Sequence, residues 1–99
     1  MRIEFADAKL ERLAVEPRYM HGLGPEIVRA YRKAVGYLDR CVDERDIRAI
    51  RGYRFKQLEG NRSHQWSMRL NDQWRLILEF RRDEEGKVIV VVDVEDYHR

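Results

Sequence analysis

Two parts of this sequence carry side chains suited to moving protons and gripping anions. One is the tripeptide Asp96-Tyr97-His98. An imidazole titrates near pH 6.5, so His98 can give or take a proton near neutrality; its alternative is a frayed tail. Asp96 can hold the ring or stand solvated. Tyr97 can stack on a base or orient a phosphate, or else pack against Val94. The other part is a basic middle. Residues 51–82 carry eight Arg and Lys against three Asp and Glu, while residues 83–99 carry two against six. On a chain with a net charge of +2, that asymmetry points to a local anion site or to a solvated basic face.

Strand parity adds geometry to this charge. Trp66, Met68 and Leu70 alternate with Gln65, Ser67 and Arg69, and Trp74, Leu76, Leu78 and Phe80 repeat the pattern. Residues paired in a hairpin share a face, so two even-numbered apolar rows need a loop with an odd number of residues. The loop Asn71-Asp72-Gln73 satisfies this, with Leu70 opposite Trp74 and Arg69 opposite Arg75. Facing arginines cost roughly tenths of a kcal/mol to 1 kcal/mol. A bound phosphate reverses that cost through paired hydrogen bonds. The alternative is that each arginine pairs with an acid such as Glu79 or Asp93.

The remaining elements must position these groups. Residues 2–5 read as a strand with Ile3 and Phe5 on one face. Asp7 caps a short helix bearing Leu10, Leu13 and Ala14, and a loop spans Glu16 to Gly24. Pro25 opens the clearest helix, running to Val42 with Ile27, Tyr31, Ala34, Val35, Leu38, Cys41 and Val42 on one stripe. Arg29, Arg32, Lys33 and Arg40 lie off the stripe, as a solvated or partner face. Asp43 caps a further short helix with Ile47 and Ile50 inward. Tyr53 to Leu58 reads as a strand that places Arg54 and Lys56 on one face. Arg81 to Gly86 reads as a charged turn. Val88 to Val92, apolar throughout, reads as a strand covered on both faces or lying centrally.

The order of elements predicts an α+β fold. An N-terminal strand and a helical hairpin pack on one face of a twisted, mainly antiparallel sheet of four to five strands. Ninety-nine residues make one domain, 1–99. Hydrophobic content of 43% in periodic positions argues against disorder. Cys41 reads as a buried thiol in a reducing compartment. The N-terminus does not read as a signal peptide, and no apolar run reaches the length of a membrane span, so a cytoplasmic protein is expected. No Cys/His cluster has metal-ligand spacing and no glycine loop cradles phosphate, so neither metal nor cofactor is expected.

The second half is similar to a known family. Phe55-Lys56-Gln57-Leu58-Glu59-Gly60-Asn61-Arg62 resembles the stretch before the central hairpin in HigB-like toxins of the RelE superfamily. Trp66-Ser67-Met68-Arg69-Leu70-Asn71-Asp72-Gln73-Trp74-Arg75-Leu76 resembles that hairpin, and Val94-Glu95-Asp96-Tyr97-His98 resembles the family's C-terminal signature. The resemblance covers residues 52–98. It implies the toxin of a type II toxin–antitoxin pair that enters the ribosomal A site and cuts messenger RNA without a metal. It also implies an antitoxin, often a HigA-like helix-turn-helix protein, through which alone DNA would be met. A gyrase inhibitor of the ParE type and a non-catalytic binding module are the other functions found or expected on this fold.

RNA cleavage by the substrate's own 2′-OH needs a base, donors for the charged phosphorane and an acid for the 5′-oxygen. On the resemblance, His98, Tyr97, Asp96, Arg75 and Lys56 are the catalytic candidates. Arg69, Arg54, Arg62 and His64 are the candidates for RNA contact. The family places a histidine before the glycine and a lysine three residues later, where this chain has Lys56 and Glu59. The base is therefore open among Lys56 (if Arg54 and Arg75 crowd off its proton), Glu59 and His64. His21 is assigned no role.

Overall fold

The computed structural model describes residues 1–97. Strand β1 (Arg2–Phe5) leads through α1 (Ala8–Val15) into α2 (Pro25–Arg40) and α3 (Glu44–Arg48). Strands β2 (Lys56–Gln57), β3 (Gln65–Arg69), β4 (Trp74–Asp83) and β5 (Gly86–Asp96) follow, with single 3-10 turns at Arg51–Tyr53 and Gly60–Arg62. The sheet order is β1-β5-β4-β3-β2. Among the described residues, only β1, beside β5, pairs in parallel. The α+β expectation holds, with five strands.

Local chemistry explains the helices. The Asp7 carboxylate accepts from the Lys9 backbone N–H at 2.7 Å and starts α1. Pro25 opens α2, where a missing N–H has no consequence. Ile27, Val28, Tyr31, Ala34 and Leu38 of α2 turn inward. Val28, Tyr31, Ala34 and Leu38 join Leu10 and Leu13 of α1 in one core with Met68, Leu76, Leu78, Ile89 and Val91 of the sheet. Each large side chain removed from water there stabilises the fold by about 1.5–3 kcal/mol. At the β2 edge, Phe55 stacks on Trp66 at 4.8 Å, and Phe80 meets both rings edge-on.

Five expectations are corrected. Helix α2 stops at Arg40, and Val42 is 78% exposed rather than on the apolar stripe. A capping box explains this: Asp46 accepts from the Val42 and Asp43 backbone N–H groups, turning the chain into α3. Because α3 is only five residues long, Ile50 lies beyond it and is 43% exposed. The strand expected over Tyr53 to Leu58 shrinks to Lys56–Gln57, since Arg54 adopts a left-handed backbone (φ 45°) that no strand continues through. Arg54 and Lys56 therefore share no strand face. The charged turn shrinks to Glu84–Glu85, because β4 runs on to Asp83.

Arg32 is the fifth correction. Its guanidinium donates to the carbonyls of Leu13, Glu16, Pro17 and Tyr19 at 2.8–3.3 Å. It closes the exposed carbonyl end of α1 rather than facing solvent.

Strand β5 lies between β1 and β4, as its apolar run from Val88 to Val92 requires. It carries one irregularity. From Asp83↔Gly86 to Leu78↔Val91 the ladder is regular, but the next pair is Ile77↔Asp93. Val92 is the extra residue of a β-bulge.

Candidate functional site

The sheet face away from the helices carries the site. Asn71 builds the β3–β4 loop by accepting from the backbone N–H groups of Gln73 and Trp74, both at 2.8 Å. The expected register follows, with Arg69 directly opposite Arg75. Neither arginine takes the acids suggested by sequence. Arg69 pairs with Asp72 in the loop. Glu79 accepts from Gln65, and Asp93 accepts from the Val94 backbone.

Arg75 is held with care. Its Nη1 donates to the carbonyls of Asn71 (2.7 Å) and Trp74 (3.2 Å). Its guanidinium carbon lies 4.2 Å from the centre of the Tyr97 ring, a stacked cation–π contact. Burial draws the Arg75 pKa below its ordinary value, and the Arg69 and Arg54 charges push the same way against the opposing pull of Tyr97 and Asp72. Of these causes, the neighbouring Arg69 and Arg54 charges are the ones that also favour an incoming anion.

Lys56 reaches the same place from β2. It is opposite Ser67, and its Nζ lies 6.0 Å from the Tyr97 ring. A cleft of about 250 Å³ runs between these groups, lined by Lys56, Arg62, Ser67, Arg75, Glu95 and Tyr97. Glu95 enters because the Val92 bulge sets it opposite Arg75. It binds Arg62 through both oxygens, at 2.7 and 3.1 Å, and this pairing raises the Arg62 pKa. Arg62 thus brings a matched charge to the cleft.

The end of β5 is fastened to the hairpin loop. The Gln73 amide donates to Asp96 at 2.9 Å, and the Gln73 carbonyl accepts from the Tyr97 backbone N–H. Tyr97 is 54% exposed rather than packed into the core. His98 lies outside the described residues. Arg54, at the end of its 3-10 turn, adds charge near Arg75 without sharing the Lys56 strand.

The other candidates sit elsewhere. The His64 Nε2 lies 3.8 Å from Glu79. In the ladder, Gln65↔Glu79 is four residues from Arg69↔Arg75, roughly 13 Å along the strand. Glu59 is exposed before the 3-10 turn at Gly60–Arg62. His21 contacts the Tyr19 hydroxyl in the first loop. Among the described residues, no three His, Cys, Asp or Glu side chains could hold a metal, and no helix is long and apolar enough to cross a membrane.

Sequence reasoning missed Glu95, Gln73 and Ser67. Ser67 was legible by parity with Arg69. Gln73 was visible only as loop. Glu95 was hidden by the bulge, since a regular ladder from the Glu84–Glu85 turn sets Val94 opposite Arg75.

The chain matches the profile of a family described as RelE-like toxin of type II toxin–antitoxin system HigB over residues 3–98. It is 34% identical over 80 residues to Toxin HigB-1 of Vibrio cholerae serotype O1, spanning 81% of this chain and 84% of that protein. Its fold resembles that of YafQ from E. coli strain BL21(DE3), with a TM-score of 0.62, 12% identity and 99% and 96% of the two chains covered. It also resembles a chain of the YoeB–YefM complex from Staphylococcus aureus (TM-score 0.58, 18% identity, 100% and 98% covered). At those identities the structural likeness speaks for the fold.

Proposed function

Because this chain belongs to the HigB-like family of RelE-type toxins of type II toxin–antitoxin systems, we propose that it is an endoribonuclease that enters the ribosomal A site and cuts messenger RNA. Its partners on this reading are a HigA-like helix-turn-helix antitoxin and the ribosome, both met in the cytoplasm. The observation that carries the reading is Arg75. A guanidinium held by two carbonyls, stacked on Tyr97 and placed opposite Arg69 is a prepared receptor for a phosphate.

In this mechanism a base removes the 2′-OH proton, and the 2′-oxygen attacks the adjacent phosphorus. The bond to the 5′-oxygen breaks, and that oxygen takes a proton. The products are a 2′,3′-cyclic phosphate and a 5′-hydroxyl. DNA lacks the nucleophile, which accounts for RNA selectivity. Arg75 neutralises the charge that develops on the phosphorane oxygens. Arg69 and Arg54 hold the flanking backbone, and Arg62 does so once it leaves Glu95. Tyr97 stacks on a base from the side opposite Arg75. Lys56 stands at the cleft mouth as a proton carrier or cationic donor. His98, with Asp96 beside it in sequence, is the proposed acid.

Primer-extension mapping of messenger ends after induction tests the reading. Discrete new ends are expected from the native chain and none from His98→Ala. DNA damage without new ends would instead indicate a ParE-like gyrase inhibitor. An undiminished His98→Ala chain would remove His98 from the chemistry.

A further inference from the structure

A second concavity lies on the other side of Arg69. It is a groove of about 440 Å³ between α2 and the 3-10 turn at Arg51–Tyr53, within the roughly 300–1,000 Å³ of small-ligand sites. Lys33, Tyr37 and Arg40 of α2 line it together with Ile50, Tyr53 and Arg69. The two tyrosine rings stand 5.8 Å apart, tilted by 41°. The Tyr37 hydroxyl donates to the Asp46 carbonyl at 2.6 Å, so its ring is fixed. Arg40 lies 6.0 Å from that ring. Ile50 contributes an apolar wall that the fold leaves open to water.

Three features identify the occupant. The groove's charged lining is wholly cationic, with no carboxylate among its described lining residues, although Asp72 reaches Arg69 from the loop. Fixed aromatic rings beside cations suit a flat, electron-rich ring joined to a phosphate. One residue also links the groove to the site, because Arg69 is among the groove's lining residues and stands opposite Arg75 in the ladder. An acidic peptide would match the charge, but it would explain neither the aromatic walls nor the link through Arg69.

We propose that the groove receives a base of the messenger strand next to the phosphate held by Arg69 and Arg75, so that the protein grips single-stranded RNA beyond the cleaved bond. The inference rests on the messenger-cleavage reading above. The groove supplies stacking and charge, which tolerate any base, and so strengthens the hold on the strand without selecting sequence.

Photo-crosslinking tests it. The His98→Ala chain is bound to ribosomes programmed with a message containing 4-thiouridine, irradiated and digested. The expected result is message linked to peptides containing Tyr37 or Ile50 to Tyr53. The double variant Lys33→Glu/Arg40→Glu should lower that yield about ten-fold. With His98 intact, it should slow cleavage to a similar degree. Its thermal midpoint should not change, since both side chains are exposed, and on this proposal antitoxin affinity should not change either. Message linked only near Tyr97, or groove peptides linked only to ribosomal RNA, overturns the proposal. A double variant that loses antitoxin binding but cleaves normally assigns the groove to the antitoxin and overturns it equally. A native chain that yields no new message ends marks failure of the cleavage reading itself.

Discussion

Glu95 stands directly opposite Arg75 across β4 and β5, yet its carboxylate is bound by Arg62 from the turn before β3. The one acid that the bulge brings beside Arg75 is thus already matched. Arg75 keeps its guanidinium on backbone carbonyls and on the Tyr97 ring. The arrangement leaves the Arg75 guanidinium beside a carboxylate whose charge Arg62 already balances.

Glu95→Gln should bind programmed ribosomes a few-fold more tightly. It removes a negative charge from the proposed phosphate face and frees Arg62. The stability cost should be at most about 1 kcal/mol, because the ion pair is over a third exposed on the Arg62 side and solvent screens it. Denaturant midpoints and ribosome-binding titrations measure both; weaker binding would mean that Glu95 helps rather than hinders.

Arg75→Ala and Arg75→Lys should both lower the cleavage rate by about 10²-fold or more, the usual effect of losing a donor to a developing oxyanion. Lysine does not rescue, since an ammonium cannot stack flat on Tyr97 while donating to a phosphate in parallel. Folding stability should change by less than about 1 kcal/mol. Single-turnover cleavage of a programmed message separates rate from binding; a lysine variant at native rate would reduce Arg75 to a point charge.

Arg32→Ala should cost about 2 kcal/mol, because it unpairs carbonyls at the end of α1 that lose a charged donor. Hydrogen exchange should quicken across residues 16–24. Arg32→Lys should recover little, as one ammonium cannot span those acceptors. Unchanged exchange in that loop would place the support elsewhere.

Tyr31 predicts alkaline sensitivity. Its hydroxyl donates to the Leu10 carbonyl at 2.8 Å, and burial pushes its pKa well above the ordinary 10. A pKa raised on folding gives stability that is complete below the unfolded value and is lost as pH rises past it. Tyr31→Phe should therefore cost about 1 kcal/mol at pH 8 and lose less than the native chain between pH 8 and pH 11. Parallel alkaline slopes in urea unfolding would contradict this.

Much of the fold was legible because periodicity reports burial. The stripe through Ile27, Tyr31, Ala34 and Leu38 marked α2, and parity alone placed Arg69 opposite Arg75. The failures have a common source in groups satisfied at a distance. Nothing near Val42 in the pattern shows that Asp46 will claim its N–H. Nothing near Arg32 shows that four carbonyls from an earlier segment will surround it. Arg54 looked like strand because alternation cannot report a positive φ. For the site, parity found the arginines, but one extra residue at Val92 reversed the alternation and hid Glu95.

Gln73 joins a three-residue loop to the end of β5, through its side chain to Asp96, 23 positions away in sequence, and through its carbonyl to the Tyr97 backbone. The loop is therefore a tether for the end of β5 as well as a connection between strands. Circular permutation, tag insertion or loop lengthening at Asn71–Gln73 would unfasten the end of β5 while leaving every core residue in place. An engineer seeking a switchable variant would cut there, and one seeking a rugged variant would leave that loop alone.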